Sequence, residues 1–187
     1  MLETGRLNLK TVTVPSILNK SNVRIAVLAL VVLAIDQITK WMVVHSMVMF
    51  DERDEKVLIP GFFKFVYWGN TGAAWSMFSG NNGVLIVVML MAILALYLTR
   101  RHFDSHTLMG QIAFGLIFGG IAGNLADRLF RHEVVDFIRF VMEQRGGGEI
   151  GFPAFNIADS AICTGVGLIF LITWKNEQTP KKVASGE

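Results

Sequence analysis

Apolar residues along this chain gather into long blocks instead of alternating with polar ones. Ile25–Val44 is broken only by Asp36, Gln37, Thr39 and Lys40. Val84–Leu98, inside the stretch Gly83–Thr99, has no charged or amide side chain. Leu108–Leu125 is threaded with Gly110, Gly115, Gly119, Gly120 and Gly123, and Ile157–Trp174 carries a single charge, Asp159. Each block is long enough for a membrane-spanning helix, which needs about 17–25 residues. In lipid only helices and closed barrels satisfy their backbone groups, and blocks without a period of two predict helices. Between the blocks, Leu58–Trp68 and Val134–Met142 are rich in β-branched and aromatic residues, which predicts short strands at the membrane surface. The expected fold is an all-α membrane protein of four transmembrane helices with a small β-rich subdomain outside the bilayer.

Composition narrows the picture. Of 187 residues, 52% are hydrophobic and 17% charged, against about 25% charged in a soluble domain. A net charge of +2 gives no footprint for nucleic acid, and one cysteine excludes a disulfide framework. Arg6, Lys10, Lys20 and Arg24 precede the first block, Arg100 and Arg101 follow the second, and Lys175, Lys181 and Lys182 follow the fourth. Positive charge on one side predicts cytoplasmic termini. The connections at about 45–82 and 126–156 then lie outside. On this reading residues 1–22 are a cytoplasmic tail or foreign to the domain, 23–175 form the membrane domain, and 176–187 are a second tail. An uncleaved signal sequence at Ile25–Val44 is the alternative for the first block, although Asp36 argues against a simple cleavable one.

Ionisable side chains inside a bilayer cost about 2.5–3.5 kcal/mol at a helix centre, so each needs a partner or a purpose. Asp36 and Lys40 are four apart with the acid first, the favourable order for an ion pair on one helix face. The pair either orients the helix end or supports a site. Asn124, Asp127 and Arg128 share a face at the end of the third block, as a local salt bridge or as site residues. Asp136 stands alone among Val134, Val135, Phe137 and Ile138. Asn156 is placed to cap the fourth helix, with Asp159 in its first turn, where a carboxylate meets the positive helix end. Asn70 and Gly72 form either a turn into the second helix or a hydrogen-bonding platform. Cys163 reads as inert, buried packing.

Asp136 and Asp159 flank one excursion from the membrane and so return to similar depth. Two adjacent carboxylates share a proton, and the pair can then act as general base and general acid on a peptide bond. Other hydrolytic chemistries lack their signatures: there is no HExxH, GxSxG or P-loop, and His102 and His106 read as solvated. A carrier relaying protons through Asp36, Lys40, Asp127 and Asp159 is the competing reading. It would place its acids near mid-helix, whereas these gather at one boundary.

Five motifs in order, Asp36–Lys40 (DQITK), Asn70–Trp75 (NTGAAW), Gly123–Arg128 (GNLADR), Val134–Ile138 (VVDFI) and Phe155–Ser160 (FNIADS), resemble lipoprotein signal peptidase, the signal peptidase II family of bacteria. The resemblance runs from about residue 25 to 174. It implies an inner-membrane aspartic endopeptidase, needing no metal or cofactor. Its substrate would be a prolipoprotein bearing a diacylglyceryl cysteine, cut immediately before that residue. Asp136 and Asp159 match the catalytic aspartates, and Asp36, Lys40, Asn70, Gly72, Asn124, Asp127, Arg128, Asn156 and Ala158 match positions that bind substrate or support the site. The resemblance further implies inhibition by the cyclic peptide globomycin and contact with membrane lipid. The chain is expected to act as a monomer. Arg139 and the run Glu143–Gly151 depart from the shorter family pattern, which leaves the shape of the outer loop open.

Overall fold

The structure, a computed structural model, describes residues 19–72, 80–146 and 148–178. Most of both tails (1–18 and 179–187) and Trp75 of the NTGAAW motif therefore lie outside the described residues.

The four apolar blocks form four helices, α1 (Lys20–Ser46), α2 (Asn82–Thr99), α3 (Leu108–Phe130) and α4 (Ile157–Gln178), each long and apolar enough to cross a membrane. All four start before or end beyond the apolar blocks because polar residues finish the turns. Asn19 caps α1 by accepting from the Ser21 N–H, and Thr107 caps α3 by accepting from the Gly110 N–H at 3.1 Å. Side-chain caps of this kind satisfy donors that a helix start otherwise leaves orphaned.

Helix α3 is the centre of the bundle. It packs on α1 along one side and on α4 along the other, and its buried residues include Gly115, Gly119, Gly120 and Gly123. These glycines permit close approach. A Cβ at Gly120 would sit 2.5 Å from the Ala158 carbonyl oxygen, and one at Gly123 would collide with the Asp36 carboxylate. Helix α2 lies against α3 with only Leu85 buried among its residues, so nearly all of its surface is left to lipid. Cys163 is exposed on the outward face of α4, contrary to the burial expected of it.

At the end where α1 and α3 finish and α4 begins stands an antiparallel sheet in the order β1 (Lys56–Ile59), β2 (Phe63–Asn70), β3 (Val134–Glu143), β4 (Glu149–Gly151). The aromatic run expected as a strand or small sheet forms the end of β1 and most of β2, joined by a turn at Pro60–Phe62 with Gly61 at φ 68°. Glu143–Gly151, the run that departs from the family pattern, extends β3 and folds back as β4. Gly146 (φ 121°) and Gly148 (φ 107°) lie in that turn; Gly147 lies outside the described residues. Val135 and Phe137 of β3 pack with Val43 of α1, which seats the sheet on the bundle.

Candidate active site

Two structural devices place the two aspartates. A bulge in β2 between Phe65 and Trp68 resets the register so that Trp68 lies opposite Asp136 and Asn70 opposite Val134. Cross-strand partners share a face and so do residues two apart, which brings Asn70 diagonally beside Asp136. Asn70 Nδ2 donates to Asp136 Oδ2 at 3.0 Å. The second device is the start of α4. Asn156 Oδ1 accepts from the Asp159 N–H at 2.9 Å while Asp159 Oδ2 accepts from the Asn156 N–H at 3.2 Å, a reciprocal capping box. The local interaction that begins the helix therefore also fixes a carboxylate.

Asn156 joins the two halves. Its Nδ2 donates to Asp136 Oδ1 at 2.8 Å and to the Val135 carbonyl at 3.3 Å. The expected cap is confirmed, and its amide proves to span both aspartates. The segment before it is held along β3, with Phe155 N–H donating to the Ile138 carbonyl and the Phe137 and Ile138 N–H groups donating back to Phe155. Asp136 is 4% exposed. Burial first, and the nearby charge of Asp159 second, push its carboxyl up to about 7, although the Asn70 and Asn156 donors pull the other way.

Behind the aspartates lies a fully buried charge cluster. Lys40 Nζ contacts Asp36 Oδ2 at 2.9 Å, Asp127 Oδ2 at 2.8 Å and Asn124 Oδ1 at 2.9 Å, one partner for each ammonium proton. With its oxygen on Lys40, the Asn124 amide turns its Nδ2 to Asp159 Oδ1 at 2.7 Å. The same carboxylates also tie down backbone, Asp36 through its second oxygen and Asp127 through the one that meets Lys40. Asp36 Oδ1 accepts from the Ala158 N–H at 2.9 Å, and Asp127 Oδ2 accepts from the Val135 N–H at 3.2 Å. Ala158 and Val135 each immediately precede one of the two aspartates.

Arg128 performs the corresponding task for Asp136. Its guanidinium donates to the Gly72 carbonyl; the Gly72 N–H donates to Asn70 Oδ1 at 2.9 Å, leaving the Asn70 amide pointed at Asp136. All eleven residues singled out in the sequence thus lie on one continuous hydrogen-bonded network. The local Asp127–Arg128 bridge considered above does not form: Asp127 pairs with Lys40 and Arg131, and Arg128 turns toward the β2–α2 connection.

Sequence reasoning passed over two members of this network. Gln37 Nε2 donates to Asp36 Oδ2, Asp127 Oδ1 and the Gly123 carbonyl at 3.1–3.2 Å. Its signal was available, since an uncharged amide within a spanning block also needs partners. Asn82 exchanges hydrogen bonds with Arg128, accepting from its guanidinium and donating to its carbonyl. Nothing local marks Asn82, because its partner is 46 positions away.

A cleft of about 510 Å³ opens over Asp136, lined also by Asn70, Thr71 and Gly72 on the polar side and Phe50, Trp68 and Pro153 on the apolar side. A buried acid of raised pKa beside a second carboxylate, at the floor of a cleft, is suited to moving protons on and off a bound carbonyl compound.

Comparison with known proteins agrees with this chemistry. Residues 28–175 match the family described as Signal peptidase (SPase) II. The lipoprotein signal peptidase of Bacillus pumilus is 39% identical over 146 residues, covering 78% of this chain and 88% of that protein. Its counterpart in Bacillus subtilis is 37% identical over 146 residues, covering 77% and 88%. A bacterial membrane enzyme solved by the in meso method at 2.3 Å resolution superposes with a TM-score of 0.68 at 31% identity, covering 87% of this chain and 94% of that one. A second, solved by the same method at 1.9 Å, gives 0.66 at 33% identity, covering 81% and 93%. Four spanning helices, two aspartates joined through Asn156 and a match across most of the chain place the protein in the signal peptidase II family, as a multi-pass membrane peptidase of the aspartic type.

Proposed function

We propose that this enzyme removes signal peptides from prolipoproteins carrying a diacylglyceryl cysteine, cutting just before that cysteine, with Asp136 and Asp159 as the catalytic pair. The observation that carries the reading is the bridge through Asn156. It holds two carboxyls from different elements together, each accepting two N–H groups.

In the proposed mechanism the pair shares one proton. The ionised member takes a proton from a water as that water attacks the scissile carbonyl carbon. The protonated member donates to the carbonyl oxygen, giving a neutral tetrahedral diol. The diol collapses as its C–N bond breaks; the nitrogen leaves with the proton taken from the water, and the pair regains the proton it lent. Asn70, Asn124 and Asn156 hold the carboxyls in place, and Lys40, Asp36, Asp127, Arg128, Gly72 and Ala158 hold the asparagines and the backbone on either side. The apolar helices give a signal segment a lipid-facing approach to the cleft. We assign the sheet to the periplasmic side and both termini to the cytoplasm, on the distribution of lysine and arginine.

The test is a gel-shift cleavage assay on a diacylglyceryl-modified prolipoprotein, with wild type, Asp136→Asn and Asp159→Asn all verified as folded. Cleavage by the wild type alone supports both the reaction and the pair. Cleavage by all three keeps the reaction and removes the pair. A folded wild type that fails on a substrate cut by a control enzyme overturns the reading.

A further inference from the structure

Phe50 sits at the rim of the cleft, and three features set it apart from ordinary exposed hydrophobics. Its backbone is left-handed, at φ 56°, a conformation disfavoured for a bulky side chain and worth noting where it borders a site. The residue is 60% exposed and its ring stacks on Trp68 with centroids 6.5 Å apart, while the Arg139 guanidinium covers Trp68 at 4.4 Å. The loop that carries it is pinned down. Phe50 N–H donates to the Tyr67 carbonyl, Val48 N–H donates to Asp54 Oδ2 at 2.6 Å, and Arg53 pairs with Asp51. The loop thus holds an aromatic ring in an unfavourable backbone state, in solvent, at the cleft that ends on Asp136.

We infer that Phe50, backed by Trp68, is a specificity-determining residue that grips an acyl chain of the lipid-modified substrate. The occupant follows from continuity. Trp41 and Met42 on the last turns of the spanning helix α1, and Val48 and Phe50 in the connection that follows, are all more than half exposed, and Phe50 lines the cleft. An aliphatic chain can rest on those apolar side chains, passing only the exposed His45 and Ser46 between them, whereas an extended peptide would bring unpaired backbone groups with it. Phe50 and Trp68 supply the apolar wall, and Asn70, Thr71 and Asp136 the polar one.

This inference rests on the lipid-modified substrate proposed above, and its test separates the two. Full-length wild type, Phe50→Gly and Phe50→Asn would be assayed on prolipoproteins with long or short acyl chains and with large or small side chains before the cut. Glycine and asparagine both accept φ 56°, so either variant can keep the loop. KM for the long-chain substrate should rise about tenfold in both variants, with kcat within about twofold and little change for the short-chain substrate. Equal changes for both chain lengths, no change, or a loss that follows the side chain before the cut would overturn the inference. Failure of the wild type itself would instead strike the proposed function.

Discussion

Two lysines in this protein each stand between two carboxylates, and they do different work. Lys40, on α1, has no exposed side-chain surface and neither do Asp36 and Asp127. Lys64, on β2, contacts Glu55 at 2.7 Å and Glu149 at 2.6 Å, with side chains 8%, 11% and 38% exposed. Burial pulls the Lys64 ammonium down, but the hydrogen bonds it donates to Glu149 and Glu55 more than offset that and leave it above its ordinary value. Both arrangements satisfy the rule that a buried charge must be paired. The difference is the third proton. On Lys40 it goes to Asn124 and through Asn124 to Asp159. The partners of Lys64 tie the approach to β1, and β4, to β2, and none of them touches the aspartates. An ion pair in itself says little about function, whereas the destination of its remaining hydrogen bonds says a great deal.

The largest expected effect is therefore at Lys40. Lys40→Met keeps most of the volume but leaves two buried carboxylates facing each other with only Gln37 between them. Breaking a buried pair in this way costs about 3–5 kcal/mol, a fall in Tm on the order of 10 °C. Cleavage should vanish with it. Thermal unfolding in detergent and the gel-shift assay read the two losses. A variant that is fully stable and active would remove the relay from the account.

The next effect tests Asp136 directly. Burial and the charge of Asp159 push its carboxyl up to about 7 in the folded protein, against the ordinary 3.8 it regains when unfolded. Between those values the folded state holds a proton that the unfolded state lacks, so stability falls as pH rises through that window, by roughly 4 kcal/mol in all. It levels off above about pH 7. Asp136→Asn should flatten the decline, read as Tm against pH. The wild-type kcat/KM should fall above about pH 7 as the pair loses its shared proton, with apparent pKa values that belong to the pair. The charge of Lys40 is among the influences lowering Asp136, and Lys64 is not, so a Lys64 variant should leave this profile where it is.

Cutting the relay without disturbing charge gives a smaller loss. Asn124→Ala leaves Lys40 with both carboxylates but removes a donor from Asp159. A hydrogen bond to a charged group is worth about 1.5–3 kcal/mol, so kcat should drop roughly 10–100-fold with KM little changed. A change confined to KM would assign Asn124 to substrate binding instead.

The same contrast explains what was legible in the sequence. The helices were, because an apolar block of spanning length has few alternatives in lipid. So was the Asp36–Lys40 pair, whose spacing is local, and so was Asn156 as a cap. What connects them was not. That Asp127 turns to Lys40 and away from its neighbour Arg128 depends on how closely α3 approaches α1, which the glycines allow but do not specify. The Arg128–Asn82 exchange and the Lys64–Glu149 pair span 46 and 85 positions. The bulge that sets Trp68 opposite Asp136 has no composition cue, since residues 65–68 read as an ordinary aromatic strand. Cys163 was misjudged because a residue in an apolar helix can as easily face lipid as protein.

Lys64 closes the comparison with the smallest effect. Lys64→Met leaves Glu149, already 38% exposed, free to turn to water, and leaves Glu55 with the Arg139 guanidinium at 3.8 Å. Neither carboxylate is stranded as the fully buried Asp36 would be. The cost should be about 1 kcal/mol or less, as for a partly solvated pair. Cleavage should stay within about twofold of wild type, because the sheet's register at Trp68 and Asp136 does not depend on β4. Denaturation midpoint and cleavage rate, measured beside those of Lys40→Met, decide the matter. If Lys64→Met abolished cleavage while remaining folded, the β3–β4 hairpin would have to be part of the active site, and the line drawn here between a lysine that ties strands and a lysine that positions a catalytic carboxylate would fall.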